Sequence, residues 1–209
     1  MKKVGILALC SVLFACVWLF AFLHLLEMEK RFEASEPVIT VVEKSADEIL
    51  YERQSEIFGE EIAAHTHVLS KKYRLPPEVV CALVQTESDG INGRVSSANC
   101  VGLTQVGKSA VAQYNEANGT SWELMDCKDD AGLNLEIGLW YFNWCVQQVK
   151  ETKHVWQNAY LMFNVGYGCY KKFYYEWIEG RNPLNGKSYG ALKRFNGKLE
   201  AATLHFQKL

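Results

Sequence analysis

Strand signals are almost missing from this 209-residue sequence, in which Ile39 to Val42 is the only short β-branched run. That excludes sandwiches, barrels and alternating α/β folds, and leaves a mostly α-helical chain. Metal-ligand patterns are missing too. No CxxC or Cys/His spacing suits zinc, and Asp126, Asp129 and Asp130 lack the spacing of a calcium loop, so neither a metal nor another cofactor is expected. Charge of one sign is not in excess: 22 Lys and Arg stand against 24 Asp and Glu, which gives no global attraction to nucleic acid. Two local absences carry more information. Val4 to Leu26 is a 23-residue apolar run without Asp, Glu, Lys or Arg, and no Asp or Glu occurs from Gly90 to Asn115.

The apolar run is long enough to span a bilayer. Lys2 and Lys3 precede it, which keeps the N-terminus inside and puts residues from about 27 onward outside the cytoplasm. The segment LFAFLHLL leads straight into EMEKRFE, without a small-residue cleavage site. Residues 1–26 are therefore expected to be an uncleaved, single-pass anchor in the cytoplasmic membrane, ahead of a cleaved signal peptide or a lipoprotein processed at Cys16. The remaining chain has 20 basic and 24 acidic residues, a net charge of −4. Of the seven cysteines, Cys81, Cys100, Cys127, Cys145 and Cys169 lie beyond the apolar run. An oxidising compartment permits disulfides among these five, with at least one thiol left over and no pairing assignable.

Residues 27–60 are charged, helix-friendly and poor in aromatics, as suits a stalk. A first amphipathic helix is expected at Glu60–Lys72, with Ile62, Val68 and Leu69 as its apolar points. Pro76 and Pro77 introduce a second at about 78–88, and further helical patterns follow at 107–118, 131–150, 154–164 and 168–179. A helical domain over 61–180 is the result. Residues 181–209 read as a basic tail, either a solvated surface or a contact for an anionic polymer.

In the second helix, steps of three and four from Val80 reach Leu83, Val84 and then Glu87. An ionised carboxylate on an apolar stripe costs several kcal/mol unless paired, and nothing basic lies within one helical turn. Such surroundings suit a group that must keep its proton near neutral pH, as a general acid does. A different motif lies nearby: Gly102 to Ser109 satisfies GxxxxGK[ST], the phosphate-cradling P-loop. Its context is wrong for nucleotide binding, because Ser96, Ser97, Ala98, Asn99 and Cys100 precede it where a buried strand is needed.

Four blocks in order carry a wider resemblance. They are YRLPPEVVCALVQTES with Glu87 and Ser88; Ser96 followed by Gly102-Leu103-Thr104-Gln105; Asn134 with Gly138 and Tyr141; and Phe163-Asn164-Val165-Gly166. Residues 73 to about 168 thereby resemble the catalytic domain of the soluble lytic transglycosylases, in the lysozyme superfamily, which cut the glycan strands of peptidoglycan. The chain departs from that family's usual GLMQ at Thr104, from its Gly and Ala at Asn99 and Cys100, and from its YNAG at Phe163, where a tyrosine hydroxyl near the catalytic acid is lost. The resemblance implies that Glu87 acts alone as acid and then base. It also implies that Ser96 and Gln105 bind the sugar or shape the cleft, and that Asn164 and Phe163 face the acid. A catalytically weak, murein-binding scaffold is the alternative that Phe163 raises. The aromatics Trp140, Tyr141, Trp144, Trp156, Tyr160, Tyr167, Tyr170 and Trp177 stand at helical spacing, as core residues do, though such rings also stack on sugars. Glycan strands and the membrane are the expected partners, and no nucleic acid is expected.

Overall fold

The computed structural model describes residues 18–30, 44–178 and 186–207. The chain divides into two units, Met1–Glu43 and Lys44–Leu209. In the first, residues 18–30 form helix α1, and its side chains are exposed. The rest of the expected anchor, residues 1–17, lies outside the described residues, as does the β-branched run at 39–42. Among the described residues no helix is long and apolar enough to cross a membrane.

The described part of the second unit is built of helices joined by loops. Its elements are α2 (Ala46–Phe58), α3 (Glu60–Tyr73), α4 (Pro77–Ser88), α5 (Lys108–Asn118), the single turn α6 (Asp126–Asp129), α7 (Ala131–Val149), α8 (Val155–Val165), α9 (Tyr167–Ile178) and α10 (Gly186–Phe206). No strand forms among the described residues, and two isolated antiparallel bridges, Val95 with Val101 and Val101 with Val106, pin a loop between α4 and α5. Local chemistry fixes several helix ends. Ser45 and Glu48 cap each other at the start of α2, Pro77 opens α4 where its missing N–H costs nothing, and Asp130 caps α7 by accepting from the Leu133 amide at 2.9 Å.

The core gathers around α7. Leu135, Ile137, Leu139, Phe142 and Cys145 are fully buried there, against Leu83 of α4, Tyr160 and Met162 of α8, and Phe195 of α10. Each such aliphatic or aromatic side chain contributes about 1.5–3 kcal/mol by leaving water. The loop carrying the 102–105 block is drawn onto α7 by one buried side chain, Asn134. Its Oδ1 accepts from the Thr104 amide at 2.9 Å and the Thr104 hydroxyl at 2.8 Å, and its Nδ2 donates to the carbonyls of Val101 and Cys127, each at 2.9 Å. The approach is so close that a methyl group on Gly102 would overlap the Asn134 amide, and one on Gly138 would overlap Thr104. Gly102 also sits at φ 76°, a conformation costly for side chains other than Asn or Asp. Thr104 therefore fits where methionine is usual in this block because its hydroxyl completes the polar contact with Asn134.

Three differences from the sequence reading have physical causes. Val68, expected on the apolar face of α3, is exposed, because that helix buries Ala63, Thr66, Leu69 and Ser70 instead. The helix α2 falls within the segment read as a stalk, yet it packs on α3, and its Leu50, Ile57 and Phe58 meet Cys81, Ala202 and Phe206 in a small second core. The basic tail is for the most part helix α10, which packs chiefly on α4 and buries Ala191, Phe195, Ala202 and Phe206. Those apolar residues recur at helical spacing beneath a basic surface, so charge obscured the period.

Candidate active site

The way α4 ends creates the site. Asp89 turns left-handed at φ 56° with its amide still bonded to the Gln85 carbonyl at 3.1 Å, and Gly90 follows at φ 77°. Ser88 is buried beneath this turn, donating to the Val84 carbonyl at 3.1 Å and accepting from the Gly90 amide at 3.2 Å. The side chain of Glu87 then faces a cleft of about 830 Å³. Loop 94–107, the end of α8 at residues 163–166, and Arg194 and Lys198 of α10 form its walls. Glu87, Ser96, Gln105, Phe163 and Asn164 all line it.

Two of these side chains, Ser96 and Gln105, have a definite hydrogen-bonding state. Ser96 is half-buried, and its hydroxyl oxygen accepts from the Cys100 amide at 3.1 Å, which leaves the hydroxyl proton free to donate. Gln105, at φ 50°, gives both amide hydrogens to the carbonyls of Arg94 (3.0 Å) and Gly102 (2.9 Å), so only its Oε1 is free for a ligand. Asn99 adopts φ 59°, a conformation that asparagine tolerates better than most residues. Asn164 is exposed at the cleft edge, while Phe163 is half-buried against Tyr141 and Phe142, with ring centroids 5.5 and 5.9 Å apart.

The same loop settles the P-loop match. The amides of Gly102, Thr104, Gln105 and Val106 are bonded to Arg94 O, Asn134 Oδ1, Gly102 O and Val101 O, and so cannot cradle phosphate. No strand feeds the turn, and Lys108 is an exposed residue opening α5. The nucleotide-binding alternative through Gly102 to Ser109 is thereby corrected.

Burial sets the electrostatics of Glu87. Its Oε1 is buried without a hydrogen-bond partner. Burial pushes the carboxyl up from its ordinary 4.5 to about 7, against the opposing pull of the Tyr160 hydroxyl as hydrogen-bond donor and then of the Arg194 and Arg94 charges. The Tyr160 hydroxyl is itself held well above its ordinary value, first by burial and then by the neighbouring Glu87, so it remains a donor. Its ring stacks flat on Phe195 of α10, centroids 4.3 Å apart. A hydroxyl thus lies close enough to act on the acid despite the loss of tyrosine at 163, coming from one helical turn earlier on α8. The sequence reading groups Tyr160 with the core aromatics; its spacing of three residues from Phe163, on the same helix face, is the signal that points to the site. Arg94, Arg194 and Lys198 were not anticipated there either. Among the described residues one other carboxylate lines the cleft: Asp89, which is exposed and lies 3.3 Å from Arg94 Nη1 and 3.5 Å from Lys198 Nζ. The cysteines Cys81, Cys100, Cys127, Cys145 and Cys169 are all free.

A helical domain with a half-buried glutamate at the end of a helix, its Oε1 buried without a partner and facing a cleft, defines a lysozyme-like class of protein. The family profile of the transglycosylase SLT domain matches residues 66–177, just over half of the chain, and the chain belongs to that family. Among curated proteins none matches it.

A carboxyl that ionises at about 7 in the fold, and at 4.5 in the unfolded chain, favours the fold fully below pH 4.5 and loses that contribution as pH rises through 7. The loss amounts to roughly 3 kcal/mol. Glu87→Gln lacks this titration, so its stability relative to wild type should rise by about that much between pH 4 and pH 8.5 in denaturant melts. Parallel stability curves across that range would mean that the carboxyl is solvated.

Proposed function

We propose that this protein is a peptidoglycan lytic transglycosylase, a lyase that cleaves the β-1,4 bond between MurNAc and GlcNAc and leaves a 1,6-anhydro-MurNAc end. The observation that carries the reading is Glu87, whose Oε1 is buried at the cleft without a hydrogen-bond partner among the described residues and whose carboxyl is shifted to about 7. A group with that value is substantially protonated near neutral pH and equally able to take a proton back. Glu87 gives its proton to the glycosidic oxygen as the C1–O bond breaks. The 2-acetamido group of the substrate stabilises the sugar cation. The Glu87 carboxylate then removes the proton of the C6 hydroxyl as that oxygen closes on C1, so no water is consumed and the acid is regenerated.

The second carboxylate favours this route over hydrolysis. Ordinary glycosidases place two carboxyl groups roughly 5–10 Å apart on either side of the bond. Here Asp89 is committed to Arg94 and Lys198 at the surface, which suits it poorly as a nucleophile or a base for water. Tyr160 stabilises the carboxylate formed after proton donation. Ser96 donates from its free hydroxyl proton, Gln105 accepts through Oε1, and Asn164 and Phe163 border the sugar at the end of α8. A murein-binding scaffold with little activity remains the reading that Phe163 favours, and products separate the two.

Full-length protein with Glu87→Gln should fold and bind murein but release no fragments. General acid–base catalysis contributes about 10² to 10⁴-fold, so a loss under tenfold would sink this role. Mass spectrometry of the wild-type digest should find 1,6-anhydro ends, whereas reducing ends would mean that water attacks.

Tyr160→Phe should lower the rate by about 10 to 100-fold, the worth of a hydrogen bond to a charged group, and move the alkaline limb of kcat/KM to higher pH. In that background Phe163→Tyr should restore part of the rate. Failure of the second substitution to help, with folding intact, would show that the pocket has closed around phenylalanine.

We further propose that the N-terminal apolar run anchors the domain on the outer side of the cytoplasmic membrane. Full-length protein should stay with membranes through a high-salt wash; a soluble form starting near residue 27 would reject the anchor.

A further inference from the structure

The wall of the cleft that α10 supplies lies beyond the family-matched residues 66–177. Three cations meet at this wall and the loop opposite: Arg94, Arg194 and Lys198. Two of them share Asp89, at 3.3 Å for Arg94 and 3.5 Å for Lys198. Arg194 is exposed and has no ion-pair partner among the described residues, and both its guanidinium and that of Arg94 lie close enough to Glu87 to weigh on its charge. The backbone beneath Arg194 is held firmly, because Ala191 and Phe195 on the other face of α10 are buried, the latter stacked on Tyr160. A planar, unpaired cation on a rigid helix beside an acid suits a planar anion on the ligand.

The transglycosylase reading says which anion is available. The two sugars of peptidoglycan differ by the lactyl ether on the muramyl unit. That ether ends in a carboxylate or, when amide-linked, carries a peptide that has carboxylates of its own. Closing a 1,6-anhydro ring on the muramyl unit requires that this sugar, and not its glucosamine neighbour, present C1 to Glu87. A strand that slid by one sugar would put the wrong unit over the acid. The acetamido groups cannot prevent this, since both sugars have one.

We propose that Arg194, with Lys198 and Arg94 beside it, forms an anion subsite that reads a carboxylate of the muramyl substituent and so fixes which sugar lies over Glu87. This rests on the transglycosylase reading above. Asp89 keeps its pairing with Arg94 and Lys198 at the surface, and three cations against this one carboxylate leave the cluster positive toward a ligand anion. Arg194 is a specificity residue in this scheme and takes no part in the proton transfers.

The test is binding to full-length Glu87→Gln, which holds substrate uncut, with and without Arg194→Gln. Titration calorimetry uses three soluble probes: N-acetylglucosamine oligomers without carboxylates, peptide-free murein glycan with a free lactyl carboxylate, and peptide-bearing glycan in which only the peptide offers carboxylates. Arg194→Gln should weaken one or both muramyl probes by about tenfold or more, and the neutral oligomers by less than about twofold. Arg194→Lys should recover part of the loss, and high salt should shrink the difference. The muramyl probe that loses affinity identifies the carboxylate as lactyl or peptide. An equal loss on all three probes, or none on any, overturns the subsite, as does the absence of binding to every probe. Wild-type digestion of murein is measured in parallel. Anhydro products together with an indifferent Arg194 reject the subsite alone, whereas a wild type that yields no anhydro products rejects the transglycosylase reading.

Discussion

The side-chain amide of Asn134 is the junction on which the cleft depends. Both of its hydrogens are donated to carbonyls on two different segments, and its oxygen receives the amide and the hydroxyl of Thr104. A buried amide with every hydrogen-bonding site filled is stabilising, but one left short of a partner costs about 1–3 kcal/mol, so the arrangement is close to all or none. Its reach is short. Loop 101–106 must touch α7 almost backbone to side chain, which is why Gly102 and Gly138 carry no Cβ. With the loop held there, Gln105 can spend its amide on the Arg94 and Gly102 carbonyls, and Ser96 is fixed through the turn to Cys100. Asn134 never touches the cleft, yet it sets the position of two residues that do.

The acid is built on the opposite logic. Glu87 is left with a buried oxygen that has no hydrogen-bond partner among the described residues, a defect shared by the Nε2 of Gln54 elsewhere in the domain. What keeps the defect tolerable is the proton, which removes most of the charge penalty near neutral pH. Burial outweighs its opposing influences: Tyr160, Arg194 and Arg94 pull the carboxyl down while desolvation lifts it further, and the balance falls at about 7. Three different elements supply those opposing groups, so the proton affinity of Glu87 is a property of the assembled domain and not of α4.

Much of this was legible in one dimension. A glutamate on an apolar stripe, an acid-free loop, and four blocks in order point to the helical fold and to the residues that the structure gathers around the cleft. Bounds of α4, α5, α7, α8 and α9 fall within a residue of the periodic segments. Legibility failed where one property hid another. Ala191, Phe195, Leu199, Ala202 and Phe206 follow the helical period of α10, but basic composition dominated the reading of that segment. The helix α2 offers few apolar side chains and buries a glutamine, Gln54, so its docking has no strong hydrophobic signature. Tyr160 was ambiguous because it is both core and site: a ring against Phe195 and a hydroxyl against Glu87 obey the same spacing.

The stacking of Phe195 on Tyr160 also gives the domain an order of assembly. Translation delivers the elements in sequence, and α10, which packs chiefly on the helix bearing Glu87, follows every other element of the unit. Contacts between α4 and α10 span more than a hundred residues, and closing so long a stretch of chain is entropically slow compared with forming the hairpins before it. Until that closure Tyr160 lacks the ring that stacks on it and one wall of the cleft is missing. The surroundings that act on the Glu87 carboxyl are therefore complete only when α10, which carries Arg194 and Phe195, has docked.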